Sequence, residues 1–95
     1  MTEAGTIWKL VDHPLRREVW RRVLVEDKPL SPKDISVEMG QSLGTVAYHV
    51  GCLADREAIV LTHREPVRGA YKNFYVSSDR FDRLKVLRII KELNG

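Results

Sequence analysis

Leu30-Ser31-Pro32-Lys33-Asp34-Ile35, followed after four intervening residues by Gly40-Gln41-Ser42-Leu43-Gly44-Thr45-Val46-Ala47-Tyr48-His49-Val50, is the stretch on which the fold turns. Ser31 is placed as an N-cap, Pro32 as the first helical residue and Asp34 as the acidic partner three positions on. Leu30 and Ile35 sit where a hydrophobic staple needs them. This predicts a short helix ending near Met39. Gly40 and Gln41 turn the chain, and Ser42 caps a longer helix reaching roughly Arg56. Its apolar positions Leu43, Val46, Val50 and Leu53 are spaced three, four and three, which predicts one buried stripe. Gly44, Thr45, Tyr48, His49 and Cys52 are then assigned to the opposite face. They are small, hydroxylated, aromatic or hydrogen-bonding where a solvated helix would carry Glu and Lys.

Downstream, residues 59–64 and 71–76 are rich in Ile, Val, Leu, Thr, Tyr and Phe and read as two strands. Residues 65–70 separate them, with Pro66 and Gly69 supplying turn chemistry. A last helix is expected over residues 79–93, with Asp79 and Asp82 in its first turn and Lys91 near its end, as the helix dipole prefers. Its apolar residues Phe81, Leu84, Val86, Leu87, Ile89, Ile90 and Leu93 span an arc too wide for one small domain, so part of it is expected to meet a second subunit. Upstream, Asp12 or His13 can cap a helix that takes Pro14 in its first turn. Leu15, Val19, Trp20, Val23 and Leu24 fall on one face of it, and Arg16, Arg17, Arg21 and Arg22 face away. Ile7, Trp8, Leu10 and Val11 form an apolar patch too short to fold alone, preceded by a frayed Met1 to Gly5. The expected architecture is thus mainly α with a small β-hairpin. It forms one domain over residues 1–95, with an N-terminal segment 1–11, a core 12–76 and a C-terminal helix 78–95.

Sixteen Lys and Arg against thirteen Asp and Glu give a net charge of +3 and a pI near 9.2. That balance permits a nucleic-acid partner without requiring one. The distribution says more. Residues 59–78 carry Arg64, Arg68 and Lys72 against Glu65, whereas residues 31–58 carry Lys33 and Arg56 against Asp34, Glu38, Asp55 and Glu57. Cys52 is the single cysteine, so no internal disulfide forms. No signal-peptide or transit character is read at the start of the chain, and a reducing cytoplasm is the expected compartment. No apolar run approaches membrane-spanning length. There is no Gly-rich phosphate loop, no Cys/His cluster and no supported Ser-His-Asp arrangement, and the expectation is a non-enzyme.

A capped helix, a tight turn, a second capped helix with an uncharged polar face and a basic hairpin form the order by which a small chain places one helix in the DNA major groove and a loop on the adjacent backbone. The strings Asp12-His13-Pro14-Leu15-Arg16, Leu30-Ser31-Pro32-Lys33-Asp34-Ile35, Gly40-Gln41-Ser42-Leu43-Gly44-Thr45-Val46-Ala47-Tyr48-His49-Val50 and Val67-Arg68-Gly69-Ala70 leading to Phe74-Tyr75 resemble the ArsR-type winged helix-turn-helix regulators of bacteria and archaea. The resemblance covers about Asp12 to Val76. It implies a dimeric transcriptional regulator, usually a repressor, whose second helix of the pair enters the major groove. Mapped by that motif, Ser42, Gly44, Thr45, Tyr48 and His49 would face duplex DNA, and Arg64, Arg68 and Lys72 would serve the wing. Glu57 departs from the pattern, standing where the family usually has a glycine between recognition helix and first wing strand.

Many such relatives sense metals. Here the first helix of the pair holds no cysteine and the last helix no histidine. His13, His49, His63 and Cys52 remain, of which His49 and Cys52 are three apart, so neither a metal nor another cofactor is expected. Blander roles stay open: Tyr48 leaning on the wing, His49 bonded to a carbonyl, Cys52 as a small half-buried residue. The homodimer is expected through the C-terminal helix and the N-terminal apolar segment. The rival reading is a winged helix used for protein contact, an adaptor without specific DNA binding.

Overall fold

A computed structural model describes residues 3–95, and they form five helices and one antiparallel two-stranded hairpin. In chain order these are α1 (Glu3–Val11), α2 (Pro14–Val25), α3 (Pro32–Met39), α4 (Leu43–Asp55), β1 (Ile59–Val67), β2 (Ala70–Ser77) and α5 (Arg83–Asn94). The molecule is mostly helical, as expected, and the arrangement is consistent with a winged helix.

The helix pair begins and ends as its caps dictate. At the start of α3 the Asp34 N–H donates to Ser31 Oγ at 3.1 Å and the Ser31 N–H donates to Asp34 Oδ2 at 3.0 Å, a reciprocal capping box. Leu30 and Ile35 are both buried beside it. At its end Gly40 takes φ 65°, and the Gly40 and Gln41 N–H groups donate to the carbonyls of Val37 and Ser36, a Schellman closure. Helix α4 closes in the same way: the Glu57 N–H donates to Ala54 O at 3.0 Å and the Ala58 N–H to Leu53 O at 2.9 Å. Glu57 itself sits at φ 61°. Glu57 thus adopts the left-handed conformation that ordinarily falls to glycine.

The core is built from Val19, Trp20, Val23 and Leu24 of α2, Val46, Val50 and Leu53 of α4, Ile35, Ile59, and Val86 and Ile90 of α5. Ile7, Leu10 and Val11 complete it from the N-terminal side. The apolar patch therefore docks on its own domain, and it does so as a helix. The expected fraying is overturned for residues 3–5, which begin α1, while Met1 and Thr2 lie outside the described residues.

Two boundaries also shift. The hairpin turn is the two-residue Arg68-Gly69, with φ 45° and 83°, rather than the six residues 65–70. Positive φ at both positions matches the twist of the flanking strands, so the ladder runs to Val67↔Ala70 with Pro66 paired to Tyr71. The register slips between Leu61 and His63. At the other end, α5 is capped by Asp82, whose carboxylate accepts from Leu84 and Lys85. Asp79 and Phe81 precede it, and Phe81 is buried edge-on to Trp20. Leu30 and Tyr75 exchange two backbone hydrogen bonds, 3.0 and 2.9 Å, which join the start of the helix pair to the base of the hairpin. Among the described residues no helix is long and apolar enough to cross a membrane.

Candidate functional site

Helix α4 lies against α2 and α3 through Val46, Val50 and Leu53, and this fixes what it leaves outside. Leu43, Gly44, Ala47, Tyr48 and Gly51 are exposed and Thr45 is half-buried. Asp55, in the last turn, is the helix's one acidic residue, and it has no Lys or Arg. At the N-terminus the Thr45 N–H donates to Ser42 Oγ at 3.2 Å, and the Ser42 hydroxyl donates to Thr45 Oγ1 at 2.8 Å. Gly44 and Tyr48 thus lie on the outward side, with Thr45 half-buried at its margin and Ser42 capping the helix beside it. Tyr48 is 65% exposed, its ring edge-on to His49.

Two positions are corrected. Leu43 was expected in the buried stripe and is 48% exposed, because the first turn of α4 overhangs the groove between α3 and the hairpin. His49 was expected to face outward and is only 3% exposed. It meets the His13 ring, centroids 4.4 Å apart, at the start of α2. His13 is the N-cap of α2, its Nδ1 accepting from the Leu15 N–H at 3.2 Å. Burial pushes the His49 pKa below its ordinary 6.5, and His13 and Arg16 nearby push it the same way. The His49 Nδ1 has no hydrogen-bond partner. His49 therefore belongs to the contact between α2 and α4 and is withdrawn from the outward face.

On the hairpin, Arg64 and Arg68 are exposed and make no ion pair among the described residues; Arg64 lies 5.7 Å from the centre of the Tyr71 ring. Lys72 differs from both. Its ammonium is 3.6 Å from Asp34 Oδ1 and 5.5 Å from the centre of the Phe74 ring, so it ties the hairpin to α3. Burial alone would raise the Asp34 carboxyl. The Ser31 N–H and side chain and the Lys72 charge together outweigh it and hold the carboxyl below its usual value.

The four arginines of α2 are committed within the fold. Arg16 Nε donates to Leu10 O and Arg17 to Val11 O, both at 3.0 Å, satisfying carbonyls at the end of α1. Arg21 and Arg22 bind Glu18, and Arg22 also reaches Glu38 at 2.9 Å. Hydrogen bonds from Arg21, and then the charges of both arginines, keep Glu18 below its ordinary pKa against the effect of burial. Cys52 is half-buried and shares a shallow surface pocket with Lys9, Arg16 and Arg56.

The sequence reading missed the groove itself. Leu43 and Ala47 of α4 and Val67 and Tyr71 of the hairpin line it, together with Lys33 and Lys72. Tyr71 is 66% exposed. The helical spacing of Leu43 and Ala47, i and i+4, was legible; their position facing the hairpin was not. No protein-family model matches the sequence, and no curated protein matches it.

Proposed function

We propose that the protein is a sequence-specific duplex-DNA-binding transcriptional regulator of winged helix-turn-helix type, resembling the ArsR regulators and acting as a homodimeric repressor. In this reading α4 enters the major groove and the hairpin contacts the backbone. The supporting observation is the outward side of α4, which is exposed and uncharged over its first three turns and stands beside a hairpin that carries Arg68 at its tip and Arg64 within β1, both exposed and without an ion pair among the described residues. An ordinary solvated helix would carry charge there. Thr45 and Tyr48 would contact base edges or nearby phosphates, and Ser42 and Gly44 would let the helix N-terminus approach a phosphate. Arg64 and Arg68 would add sequence-independent attraction. Trp8 of α1 and Leu84 and Leu93 of α5 are exposed apolar residues, which supports a dimer formed through those two helices.

Selection of bound duplexes from a random library, near physiological salt, tests the reading. The expected result is an inverted repeat with half-sites about one helical turn apart, ~34 Å centre to centre. No enrichment, with the protein shown to be folded, overturns it. Arg68→Ala is expected to weaken all sequences about equally and to lower the salt slope by about one, whereas Tyr48→Ala relaxes specificity.

The exposed Leu43 and Tyr71 favour a second reading, a protein-docking adaptor. Steep salt dependence of duplex binding separates the two, since an adaptor has none.

A further inference from the structure

Resting on the DNA-binding reading, we infer that the outward surface of α4 recognises thymine methyl groups, so that the duplex it selects is A·T-rich where this helix lies. The chemistry of the exposed side chains carries the inference. Guanine is read by Arg or Lys and cytosine by Asp or Glu, and the first three turns of α4 present none of these. The Ser42 hydroxyl donates to Thr45 Oγ1 at 2.8 Å, and the Thr45 hydroxyl, still free to donate, does not by itself distinguish the bases. What α4 does expose is Leu43 and Ala47, one turn apart, with Tyr48 beside them. Aliphatic and aromatic carbon is what contacts the thymine C5 methyl in the major groove, where that methyl is the one apolar group a base pair presents.

The surroundings suit a duplex better than a protein. The apolar strip continues across the groove to Val67 and Tyr71, and the exposed Lys33 also lines it, while the Lys72 ammonium there is held by Asp34. An apolar floor with the Lys33 cation beside it is complementary to methyl groups flanked by phosphates. Gly44 and Gly51 add no side chain to the same side of the helix, and a Cβ at either would meet nothing within 4 Å. The helix surface is thus low enough for base edges to come close to the Leu43 and Ala47 carbons.

The experiment takes the duplex recovered by selection and replaces each thymine singly by deoxyuridine, which deletes the methyl and leaves base pairing intact. Each contacted methyl is expected to cost about threefold to fourfold in affinity, the equivalent of one buried carbon. Leu43→Ala is expected to abolish the thymine-to-deoxyuridine difference at one position per half-site while the others persist. Equal affinity for all deoxyuridine duplexes, or a selected half-site of G·C pairs, overturns the inference and leaves the DNA-binding reading standing. Recovery of no duplex by folded protein overturns both. If Leu43→Ala then also disrupts self-association, the groove is covered by a second copy of the chain.

Discussion

Glu57 holds a backbone angle that ordinarily falls to glycine, φ 61°, and it is kept there by the two hydrogen bonds that close α4. A left-handed residue with a Cβ costs roughly 1–2 kcal/mol. Here the Glu57 carbonyl accepts from the Ser78 hydroxyl, and its carboxylate pairs with Arg80 at 3.2 Å. Glu57→Gly removes the steric cost but adds chain entropy and loses the ion pair, so its stability is expected to stay within about 1 kcal/mol of the parent. Glu57→Val, β-branched at the same angle, is expected to lose about 2 kcal/mol in urea denaturation. His49 gives the second prediction at this scale. Because its pKa is lowered in the folded protein, the unfolded chain binds the proton first as pH falls below 6.5. Stability should therefore rise with pH through the window beneath 6.5 and level off above it. Urea midpoints at about pH 5 and about pH 8 measure the slope. His49→Leu should flatten it in that window, and an unchanged slope would mean that His49 is not the buried neutral group described.

At the scale of elements, the capping box of α3 is the most exacting local feature. Ser31 is fully buried, so Ser31→Ala leaves the Asp34 N–H without its partner and is expected to cost about 1–2 kcal/mol. It should also let the Asp34 carboxyl rise toward its ordinary 3.8, weakening the stabilisation that this group contributes at neutral pH and loses in acid. In the hairpin, Arg68 stands at φ 45° in a two-residue turn, a position asparagine tolerates better. Arg68→Asn is accordingly expected to leave thermal stability unchanged or slightly raised while lowering the salt slope of DNA binding by about one. Loss of both fold and binding would place Arg68 in a structural role instead. These elements show what the sequence made legible. Caps are local, so Ser31, Asp34, Gly40 and Ser42 announced the helix pair correctly. The hairpin turn was overextended because Pro66 and Gly69 both read as turn residues. In a two-stranded ribbon each strand is also an edge, where proline is tolerated, and Pro66 pairs with Tyr71. His49 was assigned to the wrong side because periodicity marks an apolar stripe, whereas α4 is covered by both α2 and α3 over a wider arc. That arc takes in the position beside Val50, and only the arrival of His13 from α2 reveals it.

Over the whole molecule, the sequence suggested a basic protein, and the structure shows that part of that charge is tied up within the fold. All four arginines of α2 are bound within the fold, and Lys72 is held by Asp34. Net charge is thus a poor guide to where a polyanion would sit; the arginines of the hairpin are a better one. Helices α1 and α5 share the opposite problem, with Trp8, Leu84 and Leu93 left uncovered. Leu84 is 71% exposed, so Leu84→Glu should leave the folded chain intact. If the proposed dimer forms there, the same substitution should yield a monomer in sedimentation equilibrium with unchanged helical circular dichroism; a persistent dimer would move the interface elsewhere. The bridge between Leu30 and Tyr75 has a mechanical meaning as well. It clamps the base of the hairpin to the start of the helix pair, and the Lys72–Asp34 contact braces it part-way along. From Tyr75 to the turn the ribbon runs about 17 Å, so a tilt of about ten degrees at the clamp would swing the tip by about 3 Å. The hairpin works as a cantilever: its reach is set at its root, and a small rearrangement around Leu30 would be magnified at Arg68.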